Sequence, residues 1–333
     1  MSELKQLDGF APENVHFKWS AKNEPIATLD EGEEILVKVP DSSMSQVEEN
    51  WTTDDLKRLD ESRFDGAVGP IFVKGAKKGM ALEVEIEEIR PGSWGWSAIM
   101  NDFGLLKGAF KERLVTWEIG PNFAVTKGDF LRGIKVPLNP FLGVVGVAPE
   151  KGEYPMIPPQ RFGGNMDNRL LSVGTRLLLP IEVDGALLSI SDPHASQGDG
   201  EICGTAIETA ADVKMRVRVR DDLKLSYPIA YAPAQKMIGG ELLVAMGISS
   251  ELNEALISSV KNMIETLVQL GFAPDEAYVF MSVAGELRIS EAVDEPNFVV
   301  SSILAKRLIA RSRSTASHSG SLARIPRGQS SPA

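Results

Sequence analysis

Three scarcities bound what this chain can be. Its 333 residues include one cysteine, Cys203, so no internal disulfide can form, which fits a reducing cytoplasm. Cations are outnumbered, with 35 Lys and Arg against 46 Asp and Glu and a formal charge of -11. Nucleic acid and anionic lipid are both bound through clustered Lys and Arg, so neither is an expected partner. Long apolar runs are missing too: nothing approaches the roughly 20 residues that span a bilayer. The opening MSELKQLDGF lacks the charged start and apolar run of a signal peptide, so a soluble chain is expected. Hydrophobic residues still make up 43% of the sequence, enough for a substantial core without a structural metal.

The patterning is mostly that of strands. Glu34–Val39 (EILVKV), Ala81–Ile89 (ALEVEIEEI) and Met215–Val219 (MRVRV) alternate apolar and polar residues, as half-buried strands do. Leu177–Val183 and Gly185–Ile190 are apolar runs around Asp184-Gly185, a pair that favours a type I′ hairpin turn. Between residues 50 and 64 the chain is polar, a loop with one helical turn. Ser249–Leu270 places Leu252, Leu256, Val260, Met263, Ile264, Leu267 and Leu270 at helical spacing, with Gly271 as a C-terminal stop. That helix is expected to cover a sheet and is a candidate oligomer contact. Ala273–Ser282 is a second, shorter helix. No βαβ units are evident, so the expected class is α+β: predominantly antiparallel β, sandwich- or barrel-like, with a smaller C-terminal α+β part. The divisions drawn are a β-rich domain over 1–210, an α+β domain over 211–310, and a Ser- and Arg-rich tail over 311–333 too poor in apolar residues to fold.

Reactive side chains concentrate in Ser191–Glu208, SDPHASQGDGEICGTAIE. Asp192 and His194 are two apart, as are Asp199 and Glu201, and each pair shares a face on extended backbone. A histidine with carboxylates can hold a divalent ion, zinc or calcium, that activates water or a carbonyl. Asp-Pro-His and Gly-Asp-Gly are equally plain turn chemistry, and no His-Glu-x-x-His signature is present. A second cluster, GGNMDNR over 163–169, puts Asn165 and Asp167 on one side of a strand. Asp41 follows the strand Glu34–Val39 with Gln46 close behind, and Trp94 and Trp96 in PGSWGW either wall a site or pack. Pro140–Glu150 (PFLGVVGVAPE) is a packing segment, since its glycines lack the Lys-Ser/Thr of a phosphate loop.

Taken in order, GPIFVKGAKKG, PFLGVVGVAPE, GGNMDNR, LPIEVDGALLSISDPHASQGDGEICGTAIE and PDEAYVFMSVAGELRISEAVD resemble the acetamidase/formamidase family from about Val15 to about Leu308. The resemblance implies a β-rich fold and hydrolysis of a short aliphatic amide to carboxylate and ammonia. Asn165, Asp167, Asp192, His194, Gln197, Asp199, Glu201, Cys203 and Glu208 fall on its patterned positions. The expected roles are Asp192, His194 and Asp41 as metal ligands, and Glu201, with Asp199 or Cys203, as the catalytic groups. Asn165, Asp167, Gln197 and Trp96 are the expected substrate contacts.

Two chemistries remain open at this stage. Water activated by a metal, with Glu201 as base and then acid, fits the absence of a Gly-x-Ser-x-Gly elbow. Attack by a Cys203 thiolate, assisted by Glu201 or Glu208 and a lysine such as Lys74, is the rival. A small-molecule binding or regulatory protein on the same fold, without turnover, is the alternative to an enzyme. Expected partners are a small amide and further copies of the chain in a cytoplasmic homo-oligomer.

Overall fold

The computed structural model describes residues 4–132, 134–233 and 240–309; the tail expectation over 311–333 lies outside them. Among the described residues nine strands form the larger sheet. Their order is Lys5–Asp8, Glu34–Val39, Ala211–Arg220, Ala81–Pro91, Arg176–Pro180, Ile229–Ala232, Leu242–Ser249, Phe298–Ala305 and Glu286–Glu291. Every neighbouring pair is antiparallel except Lys5–Asp8 against Glu34–Val39. Strands from both sides of residue 210 lie side by side in it.

A second sheet runs Gly163–Asn165, Phe141–Gly146, Leu188–His194, Ala67–Val73 and Val15–His16, with Ala27–Leu29 parallel to Ala67–Val73. The two sheets pack face to face. Val37, Val84, Leu177 and Val213 of the first meet Val68, Ile71, Val144 and Ile190 of the second in one core. A third, smaller sheet joins Trp94–Ile99, Arg113–Ile119, Phe123–Thr126 and Val136–Pro137.

The outer face of the large sheet divides in two, and alternation along its strands decides how. Leu178, next to the inward Leu177, turns outward with Leu243 and Leu304, where Met263 and Leu267 of the helix Leu252–Gln269 bury them. Along Ala211–Arg220 the outward residues are instead Lys214, Arg216, Arg218 and Arg220, which pair with Glu34, Glu87, Glu83 and Glu85. A second helix, Pro274–Ala284, packs beside the first and contributes Ala277 and Met281.

Antiparallel β with a C-terminal helical layer is therefore the architecture. The Asp184-Gly185 hairpin is not formed. Arg176–Pro180 belongs to the large sheet and Leu188–His194 to the second, so this turn carries the chain between layers. Gly185, Ala186 and Leu187 all have positive φ, at 81°, 58° and 59°. Three left-handed residues in succession turn the chain away from its own strand instead of back alongside it. Among the described residues, no helix is long and apolar enough to cross a membrane.

Candidate active site

The strand Leu188–His194 is buried along its whole length, and its last turn of alternation carries the site. Opposite it runs Phe141–Gly146, paired through Leu142 with Pro193 and through Val144 with Ser191. Between those pairs Gly143 faces Asp192. A Cβ on Gly143 would stand 2.3 Å from Asp192 Oδ2 and 2.4 Å from Asp167 Oδ1. The missing side chain is the space in which two carboxylates meet.

Around that space lie groups from the stretch 192–208 and from four further segments, at Ser42, Trp96, Phe141 and Asp167. His194 Nε2 is 2.9 Å from Asp192 Oδ2, 3.1 Å from Glu208 Oε2 and 4.0 Å from Glu201 Oε1. Its Nδ1 is 3.8 Å from Asp167 Oδ1. Phe141 meets the imidazole edge to face at 4.9 Å and fixes its plane. Glu208 is held by the Ala206 amide at 2.7 Å and the Ser42 hydroxyl at 2.9 Å. Its main chain exchanges two hydrogen bonds with Trp96, at 2.8 and 2.9 Å. Asp167, Asp192 and Glu201 have positive φ, at 40°, 56° and 45°. Such strain in non-glycine residues persists where the surroundings over-determine it, as at functional sites.

Charge is badly unbalanced here. Asp41, Asp65, Asp167, Asp192, Glu201, Glu208, Glu291 and Asp294 are all buried, with His194 as the buried cationic partner in their midst. Burial pushes Asp65, Asp192, Glu201 and Asp294 well above the usual carboxylate range, and Asp41 and Asp167 above it. Glu291 rises by the same cause to about 8. Burial opposes charge on His194, but the charges of Asp192 and Glu208 outweigh it and hold the imidazole well above its ordinary value. Burial also raises Glu208, yet the charge and hydrogen bond of His194 bring it below its ordinary value. Buried carboxylates in this number are stable only as protonated acids or beside a cation.

The donor set fits a metal. Asp192, His194 and Glu208 form one group of ligand atoms lying within 4.8 Å of one another, and Asp167, His194 and Glu201 form another. Asp167 Oδ1, Asp192 Oδ1 and His194 Nδ1 are buried with no hydrogen-bond partner, which buried polar atoms rarely tolerate. Asp167, Asp192, Glu201 and Glu208 form the floor of a cavity of about 340 Å³, together with Asn165, Asp65, Thr205 and Asp294, and His194 lies buried against their carboxylates. Asn165 donates to Asp294 Oδ2 at 2.8 Å, and its own Oδ1 is unpartnered.

Several expected positions lie elsewhere. Asp41 is buried behind the cavity, accepting from the Ser43 amide at 2.8 Å, and belongs to neither ligand group. Glu208, 3.1 Å from His194 Nε2, stands in one of those groups. Asp199 is exposed and outside the cavity lining, within 3.9 Å of Arg169 and of Arg288. Glu201 left-handed breaks the extended geometry that would have put the two acids on one face. Cys203 is exposed, its Sγ 3.5 Å from the Thr205 carbonyl, and does not line the cavity. Lys74 pairs with Asp30 at the surface. Gln197 is buried but serves the backbone, donating to the Asp167 carbonyl at 2.7 Å. Trp96 packs behind the cavity with Val47, Leu56 and Ala98, and Gln46 is engaged with the main chain of Asp60.

Sequence reasoning missed Asp65, Glu291, Asp294 and Gly143. Asp65 and Asp294 stand in loops and Glu291 ends the strand Glu286–Glu291, and only the Asp-Gly pair at 65–66 and the Glu-x-x-Asp spacing at 291–294 mark them.

Solved structures share this architecture. An acetamidase from Bacillus halodurans superposes with a TM-score of 0.82 at 28% identity, covering 91% of this chain and 98% of that one. The acetamidase of Yersinia enterocolitica gives a TM-score of 0.84 at 27% identity, covering 93% and 94%. The formamidase of Methylophilus methylotrophus is 25% identical over 353 aligned positions, spanning 85% of this chain and 86% of its own. The model of the Acetamidase/Formamidase family matches residues 5–154 and 151–309. With nearly every described strand inside those spans, the chain belongs to the acetamidase/formamidase family and is an amidase.

Proposed function

We propose that the enzyme hydrolyses the C–N bond of a small neutral amide, of the short aliphatic kind, to a carboxylate and ammonia, with a divalent cation at the His194 cluster. The observation that carries this reading is the convergence of Asp192, Glu208, Asp167 and Glu201 at one cavity floor around the buried His194, with unpartnered buried atoms among them. Asp192, His194 and Glu208 would hold the ion. One imidazole nitrogen among carboxylates suits zinc, which takes both donors, better than calcium, which takes oxygen alone. When bound, such an ion polarises a carbonyl and acidifies water.

The remaining work falls to the chain's own residues. Glu201, held above its ordinary pKa by burial and then by the charge of Asp167, accepts the proton of the attacking water. It then returns that proton to the leaving nitrogen, because an amine departs only when protonated. The unpartnered Oδ1 of Asn165 accepts from the substrate N–H and orients the amide. The lone cysteine supports a cytoplasmic setting, and a homo-oligomer is the proposed assembly.

The test is ammonia release from purified protein across short amides, run beside metal analysis by mass spectrometry. Turnover is expected to vanish in chelator and to return with zinc. Full activity from metal-free protein would sink the proposal.

A further inference from the structure

The cavity is larger than the smallest amides need, and part of its wall is apolar. Allowing about 30 Å³ per water-sized group, formamide fills roughly 90 Å³ and acetamide roughly 120 Å³ of the 340 Å³ available. The surplus is shaped. Above the acidic floor the walls are Leu56, Leu59, Phe64, Met100, Phe103 and Ile157, all but the buried Leu56 left half-buried by the fold. Leu59, Phe64 and Met100 pack with one side on the Trp96 cluster and line the cavity with the other, which leaves apolar surface for a ligand to cover.

This wall is fastened to the loop that carries Glu201. The Leu105 amide donates to the Ile202 carbonyl at 3.0 Å. Gly204 has φ +89°, and a Cβ there would stand 2.3 Å from the Phe103 ring. The Phe103 ring therefore lies flush on the loop, three residues from Glu201. Binding energy gained at the wall is delivered at the reacting end of the substrate, where it can raise kcat as well as lower KM. The mouth carries Glu61, Asp102 and Glu112 against Lys57, a balance that disfavours an anionic acyl group.

We propose that these walls form an acyl subsite, and that the preferred substrates are primary amides with a neutral apolar acyl group the size of a phenylacetyl or hexanoyl unit. The inference rests on the amidase reading above and extends its substrate class from short aliphatic amides to larger apolar ones. Each methylene buried against the wall is worth about fourfold in kcat/KM, from ~0.8 kcal/mol per CH₂.

The experiment measures kcat/KM for formamide, acetamide, butyramide, hexanamide, phenylacetamide and the anionic succinamate on the zinc-loaded enzyme. Binding of acetamide and phenylacetamide to the Glu201→Gln protein is measured alongside by calorimetry. Expected is a rise of tenfold or more from acetamide to hexanamide and phenylacetamide, with succinamate below butyramide. The variant Ile157→Asp should lower kcat/KM for phenylacetamide at least tenfold more than for acetamide. A flat or falling series with acetamide turned over refutes the subsite and leaves the amidase reading intact. Phenylacetamide binding tighter than acetamide, with no ammonia from any amide, keeps the subsite and refutes the amidase reading. Equal binding of the two amides overturns the subsite whatever the turnover.

Discussion

Replacing Gly143 by alanine adds one carbon where two carboxylates already meet. The new Cβ would lie 2.3 Å from Asp192 Oδ2 and 2.4 Å from Asp167 Oδ1, so each oxygen must retreat by about 1 Å to reach ordinary contact. Gly143 is not among the positive-φ glycines, so the backbone accepts alanine and the damage is confined to the site. Neither carboxylate can retreat freely: both residues are buried, and both are already left-handed. Overpacking of this kind costs about 1–3 kcal/mol, roughly 1.5–4 °C in Tm for a chain of this size. The larger effect is on the His194–Asp192 contact at 2.9 Å. Displacement of about 1 Å at a reacting centre costs on the order of 10²-fold in rate, and disturbed ligands lose about 10–100-fold in metal affinity. Ammonia-release kinetics, zinc content and thermal melts on Gly143→Ala measure all three. Gly128→Ala, whose Cβ would meet nothing within 4 Å, is the control and should match the parent. A Gly143→Ala protein with parental kcat/KM and zinc content would refute the geometric argument.

Three further outcomes follow from the same geometry. Glu201→Gln should lower kcat by about 10²–10⁴-fold while zinc content and Tm stay near the parent's, a combination read by kinetics and mass spectrometry. Cys203→Ala should leave kcat within about twofold, because the thiol is exposed and does not line the cavity; a loss beyond tenfold would revive the thiolate route. Glu291 prefers its proton when folded, with a pKa near 8 against an ordinary 4.5. Its stabilising contribution is thus full below pH 4.5 and is lost as pH rises through 8. The Tm of zinc-free protein should fall between pH 5 and pH 8, and Glu291→Gln should flatten that slope; an unchanged slope would acquit this residue.

Local patterning revealed what local forces decide. Alternation placed Glu34–Val39 with its observed bounds, and helical spacing found Leu252–Gln269 within a turn. Asp192, His194, Glu201 and Glu208 were visible because one short stretch of chain carries them all. Asp65, Glu291 and Asp294 reach the site only through strand order, across separations of 83 residues or more from the stretch 192–208, and no local pattern encodes that. Extended geometry misplaced Asp199, since Glu201 has φ +45° and the backbone there is not extended. Gly143 was hidden by its context: a glycine in an apolar strand reads as packing, and its purpose appears only when the facing carboxylates are known.

Glu208 does two jobs with separate parts of one residue. Its main chain bridges Trp96 on one side and His194 on the other, stitching the small sheet to the sheet that carries the imidazole. Its side chain meanwhile supplies a carboxylate to the cluster. Since the stitch uses only amide and carbonyl, substitutions at 208 can rewrite the chemistry without unpicking the architecture. A lineage drifting toward a new reaction, or toward binding without turnover, could therefore change this position in a single step and keep its pocket standing.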